Sequence, residues 1–101
     1  MKKITGSELK KVIDSGEEIF ILDVRDENDY KKGHIPGALC MPMNQVTSDI
    51  EDTVEDHDSK IYVYCYAGRR SAKVCGLLEF MDYTNVYDLG GIGNWKYKLE
   101  K

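Results

Sequence analysis

The sequence IYVYCYAGRRS at residues 61–71 decides how the rest of the chain is interpreted. Its first four residues are β-branched or aromatic, which is typical of a short buried strand. Ser71 is a good N-cap residue, and the run from Ala72 to Met81 has the apolar spacing of a helix. We therefore predict a strand, a short loop that begins with Cys65, and then a helix.

This loop is predicted to bind negative charge. A strand that turns directly into a helix aims backbone N–H groups and the positive end of the helix dipole at the space above the loop. Arg69 and Arg70 add positive charge, and Gly68 lets the backbone curl closely around a bound group. Because cysteine attacks as its thiolate, Cys65 is a candidate nucleophile. A buried structural cysteine at the end of a strand is the alternative.

Three segments of the chain share the pattern of one family. The cysteine loop reads Cys-x-x-Gly-x-Arg-Ser from Cys65 to Ser71. Upstream, the chain reads DVR at 23–25, DY at 29–30 and GHIPGA at 33–38, and downstream it reads GGIGNW at 90–95. In their order and spacing, these segments resemble the rhodanese-like domain family, sulfurtransferases that carry sulfane sulfur as a cysteine persulfide.

The resemblance implies one rhodanese-like sulfurtransferase domain over residues 1–101, with Cys65 as the catalytic residue and no cofactor. It implies that the substrate and the persulfide are bound by the loop residues Tyr66, Ala67, Gly68, Arg69, Arg70 and Ser71. The implied ping-pong reaction moves sulfur from thiosulfate, or a similar small anion, to cyanide or a thiol. A sulfur-relay protein is a further expected partner.

Two other functions stay open at this point. A persulfide carrier or interaction module would receive sulfur at Cys65 from a partner protein. A cysteine-dependent phosphatase or arsenate reductase would also place a thiolate in a strand-loop-helix turn. The phosphatase motif Cys-x5-Arg requires arginine at position 71, however, where the chain has Ser71. Arg70, one residue earlier, matches the shorter loop of the sulfurtransferases.

Three further residues are predicted to support the site. Asp23 and Arg25 end a predicted central strand, and an ion pair between them would lie at the same sheet edge as Cys65. His34 is expected to anchor a turn by hydrogen bonding, because a thiolate that its own loop stabilises needs no general base. A structural role is favoured over catalysis for these residues.

The other cysteines and the histidines indicate no second site. Cys40, Cys65 and Cys75 are an odd number without C-x-x-C spacing, which indicates neither a disulfide framework nor structural zinc. Cys40 and Cys75 are expected to pack in the core, and a resolving role toward Cys65 stays open. With His34 and His57 as the only histidines, we expect no metal site.

Composition is that of a soluble globular protein. The 101 residues are 42% hydrophobic and 32% charged, and the net charge of −4 argues against a general nucleic-acid or membrane binder. Lys2 and Lys3 are followed by the polar segment 4–8 rather than by the apolar core of a signal peptide. We therefore expect a cytoplasmic location.

The order of elements predicts an α/β fold with a mostly parallel five-stranded sheet and helices on both faces. Strands are expected at residues 3–5, 19–24, 38–40, 61–64 and 85–89. Helices are expected at residues 7–15, 27–32 and 72–81, loosely within 43–58, and in a short final segment that contains Trp95. Gly90 and Gly91 are expected to break the last strand. Ligands of such sheets bind beyond the carboxyl ends of the strands, where Cys65 falls.

Overall fold

The computed structural model describes every residue from Met1 to Lys101. Its strands are β1 (Lys2–Lys3), β2 (Phe20–Asp23), β3 (Ala38–Cys40), β4 (Lys60–Cys65) and β5 (Asn85–Gly91). They form one sheet in the order β1-β5-β4-β2-β3, and every neighbouring pair is parallel. The predicted α/β fold with a five-stranded sheet is confirmed. Since the strands are parallel, their carboxyl ends meet at one edge of the sheet.

Four α-helices connect the strands. They are α1 (Gly6–Asp14), α2 (Glu27–Lys32), α3 (Val46–Thr53) and α4 (Arg69–Phe80), and two 3-10 turns lie at Met43–Gln45 and Ile92–Asn94. None of the helices combines the length and the apolar character that a membrane span requires.

A hydrophobic core fills each face of the sheet, and β4 contributes to both. Val63 and Cys65 pack on one face with residues of α3 and α4, whereas Tyr62 and Tyr64 pack on the other face with Leu9 of α1. This alternation follows from the two-residue period of a strand. The side chains of Tyr64 and Cys65, although adjacent in sequence, therefore lie on opposite faces of the sheet.

The helix after Cys65 starts earlier than predicted. Helix α4 begins at Arg69 and has Gly68 as its N-cap, whereas the sequence suggested Ser71 as the cap and Ala72 as the start. Gly68 takes a left-handed φ of 100°, which turns the chain into the helix at once. Ser71 lies inside the first turn, and its hydroxyl donates a hydrogen bond to the Gly68 carbonyl (3.1 Å).

The first helix also starts earlier than predicted. Helix α1 begins at Gly6, and its N-cap is Thr5. The Glu8 N–H donates to Thr5 Oγ1 (3.1 Å), and the Thr5 N–H donates to Glu8 Oε1 (2.9 Å). This capping box satisfies two N–H groups at the helix start, which is why the helix begins directly after Thr5.

The last strand is longer than predicted. Strand β5 continues through Gly90 and Gly91, because a β-bulge at Leu89 lets the ladder with β4 resume at Gly90. The final helix is a single 3-10 turn that ends before Trp95. Trp95 is buried in the core on the α1 face, and its indole N–H donates to the Lys98 carbonyl (3.1 Å).

Candidate active site

The sulfur of Cys65 lies at the start of α4, at the carboxyl edge of the sheet. Cys65 is the last residue of β4 and is 1% exposed. Its Sγ accepts hydrogen bonds from the Gly68 N–H (3.0 Å) and from the Ser71 N–H (3.3 Å). Both donors belong to the N-terminal end of a 12-residue helix, so they act together with its positive dipole end. This environment stabilises negative charge on the sulfur.

Strand β5 supports the loop from behind. Gly91 pairs in register with Cys65, and a Cβ atom on Gly91 would lie 2.6 Å from the Tyr66 carbonyl oxygen and 3.4 Å from Ala67 Cα. The loop backbone therefore packs directly on the Gly91 backbone, and no side chain fits between them.

Replacement of Gly91 by alanine is expected to displace this loop. The added methyl group meets backbone atoms that cannot rotate away, so we expect a loss of about 1–3 kcal/mol in the free energy of unfolding. Chemical denaturation measures it, and the amide signals of Gly68 and Ser71 should move. Gly93→Ala is the matched control, because nothing lies within 4 Å of its new Cβ. Equal effects of the two substitutions would contradict the close packing at Gly91.

The two arginines after Gly68 have different environments. Arg69 is exposed and forms no ion pair. The Arg70 side chain is 35% exposed, and its Nη1 lies 3.9 Å from Oδ1 of Asp26, just after β2. Neither guanidinium donates a hydrogen bond to Cys65 Sγ, whose donors are the two backbone N–H groups. Tyr66 is 69% exposed, which leaves its ring in contact with solvent beside the loop.

Asp23, Arg25 and Tyr64 form a buried network at the same edge of the sheet. Arg25 donates to both oxygens of Asp23, with Nε 2.9 Å from Oδ1 and Nη2 2.7 Å from Oδ2. Arg25 Nη2 also donates to the Gly33 carbonyl (2.7 Å). The Tyr64 hydroxyl donates to Asp23 Oδ2 (2.7 Å) and accepts from the Ile35 N–H (3.1 Å). The network therefore ties β2 and β4 to the turn at residues 33–35.

The Tyr64 hydroxyl is held in its protonated form, as its hydrogen bond to Asp23 requires. Burial, followed by the hydrogen bond to Asp23, raises the pKa of the Tyr64 phenol far above its ordinary value. The hydroxyl therefore stays protonated and remains a donor to the carboxylate.

His34 lies in the turn and pairs with Glu100 near the C-terminus. Its ring stacks on Tyr30 at 3.8 Å between centroids, and its Nδ1 lies 3.0 Å from the Tyr30 carbonyl oxygen. The backbone of His34 exchanges two hydrogen bonds with Glu100, each 2.8 Å long. The histidine makes no hydrogen bond to Cys65, and all of these contacts hold the turn in place.

The other two cysteines are placed differently from Cys65. Burial raises the pKa of the Cys75 thiol to about 12, so this group stays neutral. Cys40 is half-buried and stands in register with Asp23, which in turn stands in register with Tyr64. Cys40 is thus two strands away from β4, about 10 Å at the usual strand spacing. A disulfide needs Cα atoms closer than about 7 Å, so Cys40 cannot reach Cys65 without backbone movement.

Two residues that touch this region were not identified from the sequence. Tyr64 was interpreted only as part of an apolar strand, although its hydroxyl holds the buried network together. Asp88 is 4% exposed in β5, and its Oδ1 accepts a hydrogen bond from the Gly90 N–H (2.8 Å). The sequence does carry one signal for Asp88, since it is a lone carboxylate between Tyr87 and Leu89 in a buried strand. Such a group is rarely buried without a partner.

The chain is similar to known proteins of one family. The family model described as Rhodanese-like domain matches residues 5–98. Thiosulfate sulfurtransferase PspE of Escherichia coli (strain K12) is 37% identical over 71 residues, which are 70% of this chain and 68% of that protein. Putative sulfur carrier protein YrkF of Bacillus subtilis (strain 168) is 31% identical over 97% of this chain. This chain spans about half, 52%, of the length of YrkF.

A solved structure gives the same result. A rhodanese with anions from E. coli superposes with a TM-score of 0.79 at 32% identity, covering 83% of this chain and 99% of that one. Sequence and structure therefore agree over nearly the whole chain, which belongs to the rhodanese-like domain family.

Proposed function

We propose that the protein is a sulfurtransferase that carries sulfane sulfur as a persulfide on Cys65. The observation that supports this most is the pair of N–H donors, from Gly68 and Ser71, on Cys65 Sγ at the start of α4. They favour the thiolate that attacks a sulfur donor, and they favour the same thiolate as a leaving group. The thiosulfate sulfurtransferase named among the relatives is consistent with this chemistry.

In the loading step, the Cys65 thiolate attacks the outer sulfur of thiosulfate. A sulfur–sulfur bond forms on Cys65 while the sulfur–sulfur bond of thiosulfate breaks, and sulfite leaves with the electron pair. The charges of Arg69 and Arg70 attract the dianionic donor. Arg70 Nη1 lies 3.9 Å from Asp26 Oδ1, whereas Arg69 has no ion-pair partner and is free to follow the donor.

In the discharge step, cyanide or a thiolate attacks the outer sulfur of the persulfide. The bond between Cys65 and this sulfur breaks, and Cys65 leaves as a thiolate. The N–H groups of Gly68 and Ser71 stabilise this thiolate by hydrogen bonding. The remaining loop residues, Tyr66, Ala67, Arg69 and Arg70, would surround the outer sulfur. The cycle then returns to its starting state without a redox cofactor.

A protein-to-protein sulfur carrier is the second candidate. The observation that favours it is Tyr66, a large aromatic side chain that is 69% exposed within the loop itself. Tyrosine is enriched at protein interfaces because it supplies a large contact area with little loss of entropy. The relative named as a putative sulfur carrier is consistent with this alternative.

Steady-state kinetics with thiosulfate and cyanide test the proposed function. We expect parallel lines in double-reciprocal plots, because sulfite leaves before cyanide reacts. Converging lines would contradict a covalent intermediate. Saturation with thiosulfate would favour the enzyme. Slow turnover with thiosulfate, together with fast loading from a persulfidated donor protein, would favour the carrier, and Tyr66→Ala should then slow only the protein reaction.

A further inference from the structure

The bulge in β5 lies directly behind the loop that follows β4. In the ladder between the two strands, Val63 stands opposite Asp88, and the next residue, Tyr64, stands opposite Gly90. Leu89 is therefore the extra residue on β5. Such a residue bends its strand and leaves backbone groups outside the ladder. Because buried N–H and C=O groups are rarely left unpaired, the bulge needs hydrogen-bond partners from elsewhere in the chain.

Two side chains supply these partners. Asp88 Oδ1 accepts a hydrogen bond from the Gly90 N–H (2.8 Å). Asn94 Nδ2 donates a hydrogen bond to the Leu89 carbonyl oxygen (2.8 Å). Asp88 comes just before the bulge and is 4% exposed, whereas Asn94 belongs to the 3-10 turn that follows β5. The bulge is thus fixed from both sides by side chains, in addition to its ladder with β4.

The two glycines after Leu89 carry the loop. A Cβ atom on Gly68 would lie 3.7 Å from both the Gly90 Cα and the Gly91 nitrogen, which is ordinary van der Waals contact. Gly91 in turn lies directly against the Tyr66 carbonyl. Gly68 donates its N–H to the Cys65 sulfur (3.0 Å). A change in the shape of the bulge would therefore move a donor of the reacting sulfur.

We propose that Asp88 and Asn94 are positioning residues for the reaction of Cys65. They fix the bulge, the bulge places the two glycines that support the loop, and the loop aims the Gly68 N–H at the sulfur. The inference rests on the proposed function, because this donor stabilises the thiolate that loads sulfur and that leaves on discharge. The role of Asp88 requires an acceptor oxygen for the Gly90 N–H and does not require a negative charge.

Two substitutions of Asp88 separate position from charge. Asp88→Ala leaves the Gly90 N–H without its acceptor, so we expect the Gly68 amide proton signal to move upfield as its hydrogen bond to Cys65 weakens. Asp88→Asn keeps the acceptor and should keep the wild-type signal. Its amide nitrogen would replace Oδ2, which has no partner within the chain and is not fully enclosed, and Asp88 lines a cavity of about 630 Å³.

Loading kinetics measure the consequence for the reaction. We expect the rate of persulfide formation from thiosulfate to fall about tenfold in Asp88→Ala, as for one weakened hydrogen bond to a charged group. The rate should return close to the wild-type value in Asp88→Asn. Asn94→Ala is a second variant that does not disturb the core, because Asn94 is exposed. It should change the Gly68 signal and the loading rate in the same direction as Asp88→Ala.

Tyr83→Phe is the matched control for a general loss of stability. It also removes a buried hydrogen bond from a side chain to the backbone, since the Tyr83 hydroxyl donates to the Val54 carbonyl (2.6 Å). Tyr83 lies just before β5 begins, at the opposite end of the strand from the bulge. Chemical denaturation should show a loss of stability in Tyr83→Phe, whereas its Gly68 signal and its loading rate should match those of the wild type.

Three results would overturn the inference. The first is an Asp88→Asn protein that is as impaired as Asp88→Ala. The second is a wild-type Gly68 signal or a wild-type loading rate in both Asp88→Ala and Asn94→Ala. The third is an equal loss of loading in Tyr83→Phe. A wild type that loads no sulfur from any donor would overturn the proposed function, whereas a Gly68 signal that depends on Asp88 would still establish that this side chain places the loop.

Discussion

Replacement of Cys65 by serine is expected to abolish sulfur transfer and to leave the fold nearly intact. The serine oxygen still accepts hydrogen bonds from Gly68 and Ser71, so no buried N–H group loses its partner. A neutral hydroxyl is a far weaker nucleophile than a thiolate and cannot store sulfur. We expect transfer from thiosulfate to cyanide to fall at least about a thousandfold. Initial rates and a denaturation curve measure the two effects.

Cys40→Ser is the matched control for this substitution. Cys40 is half-buried at the end of β3, two strands away from Cys65, and cannot resolve the persulfide without backbone movement. Its replacement should therefore leave the rate of sulfur transfer unchanged. Transfer that survives in Cys65→Ser would show that another group carries the sulfur.

Replacement of Asp23 by alanine is expected to cost about 3–5 kcal/mol of the free energy of unfolding. The carboxylate is fully buried, and its loss leaves the Arg25 guanidinium inside the protein without its counter-charge. The Tyr64 hydroxyl loses its acceptor at the same time. Since a small domain has only about 5–15 kcal/mol of stability, a large part of the fold's stability would be lost. Urea denaturation gives this value directly.

Two further substitutions give reference values for the effect of Asp23→Ala. Asp14→Ala also removes a carboxylate from an ion pair, but the pair with Lys10 lies on the surface, so we expect almost no change in stability. Tyr64→Phe leaves the Ile35 N–H without its acceptor and should cost about 1–3 kcal/mol. If Asp23→Ala were as mild as Asp14→Ala, the buried network would not support this edge of the sheet.

The fold was predictable because its main signals are local. The apolar runs at residues 19–24 and 61–64 are rich in β-branched residues, as strands covered on both faces require. Helical segments between them imply crossover connections and hence a parallel sheet. Once Cys65 ends a central strand of such a sheet, its place at the carboxyl edge follows.

The ends of the elements were harder to predict, because they depend on backbone geometry. Ser71 has the chemistry of a cap, but the left-handed turn at Gly68 starts the helix earlier, and the Ser71 N–H bonds to the sulfur instead. Gly90 and Gly91 indicate a break in a strand, but a bulge at Leu89 keeps them in the ladder. Neither outcome is encoded in the residue types alone.

Contacts between residues far apart in the sequence also could not be predicted. Nothing in a strand that reads IYVY indicates that the Tyr64 hydroxyl bridges Asp23 and Ile35. Nothing near His34 indicates that its backbone pairs with Glu100. Only the folded chain shows that Arg70 lies within 3.9 Å of Asp26 while Arg69 has no ion-pair partner.

Intact-protein mass spectrometry after incubation with thiosulfate, without reductant, is the most direct test of Cys65 as the sulfur carrier. We predict that the wild type gains the mass of one sulfur atom, that cyanide removes it, and that Cys65→Ser gains nothing. An equal gain on Cys65→Ser would contradict the proposal. So would a wild type that gains no sulfur from thiosulfate or from a persulfidated donor protein.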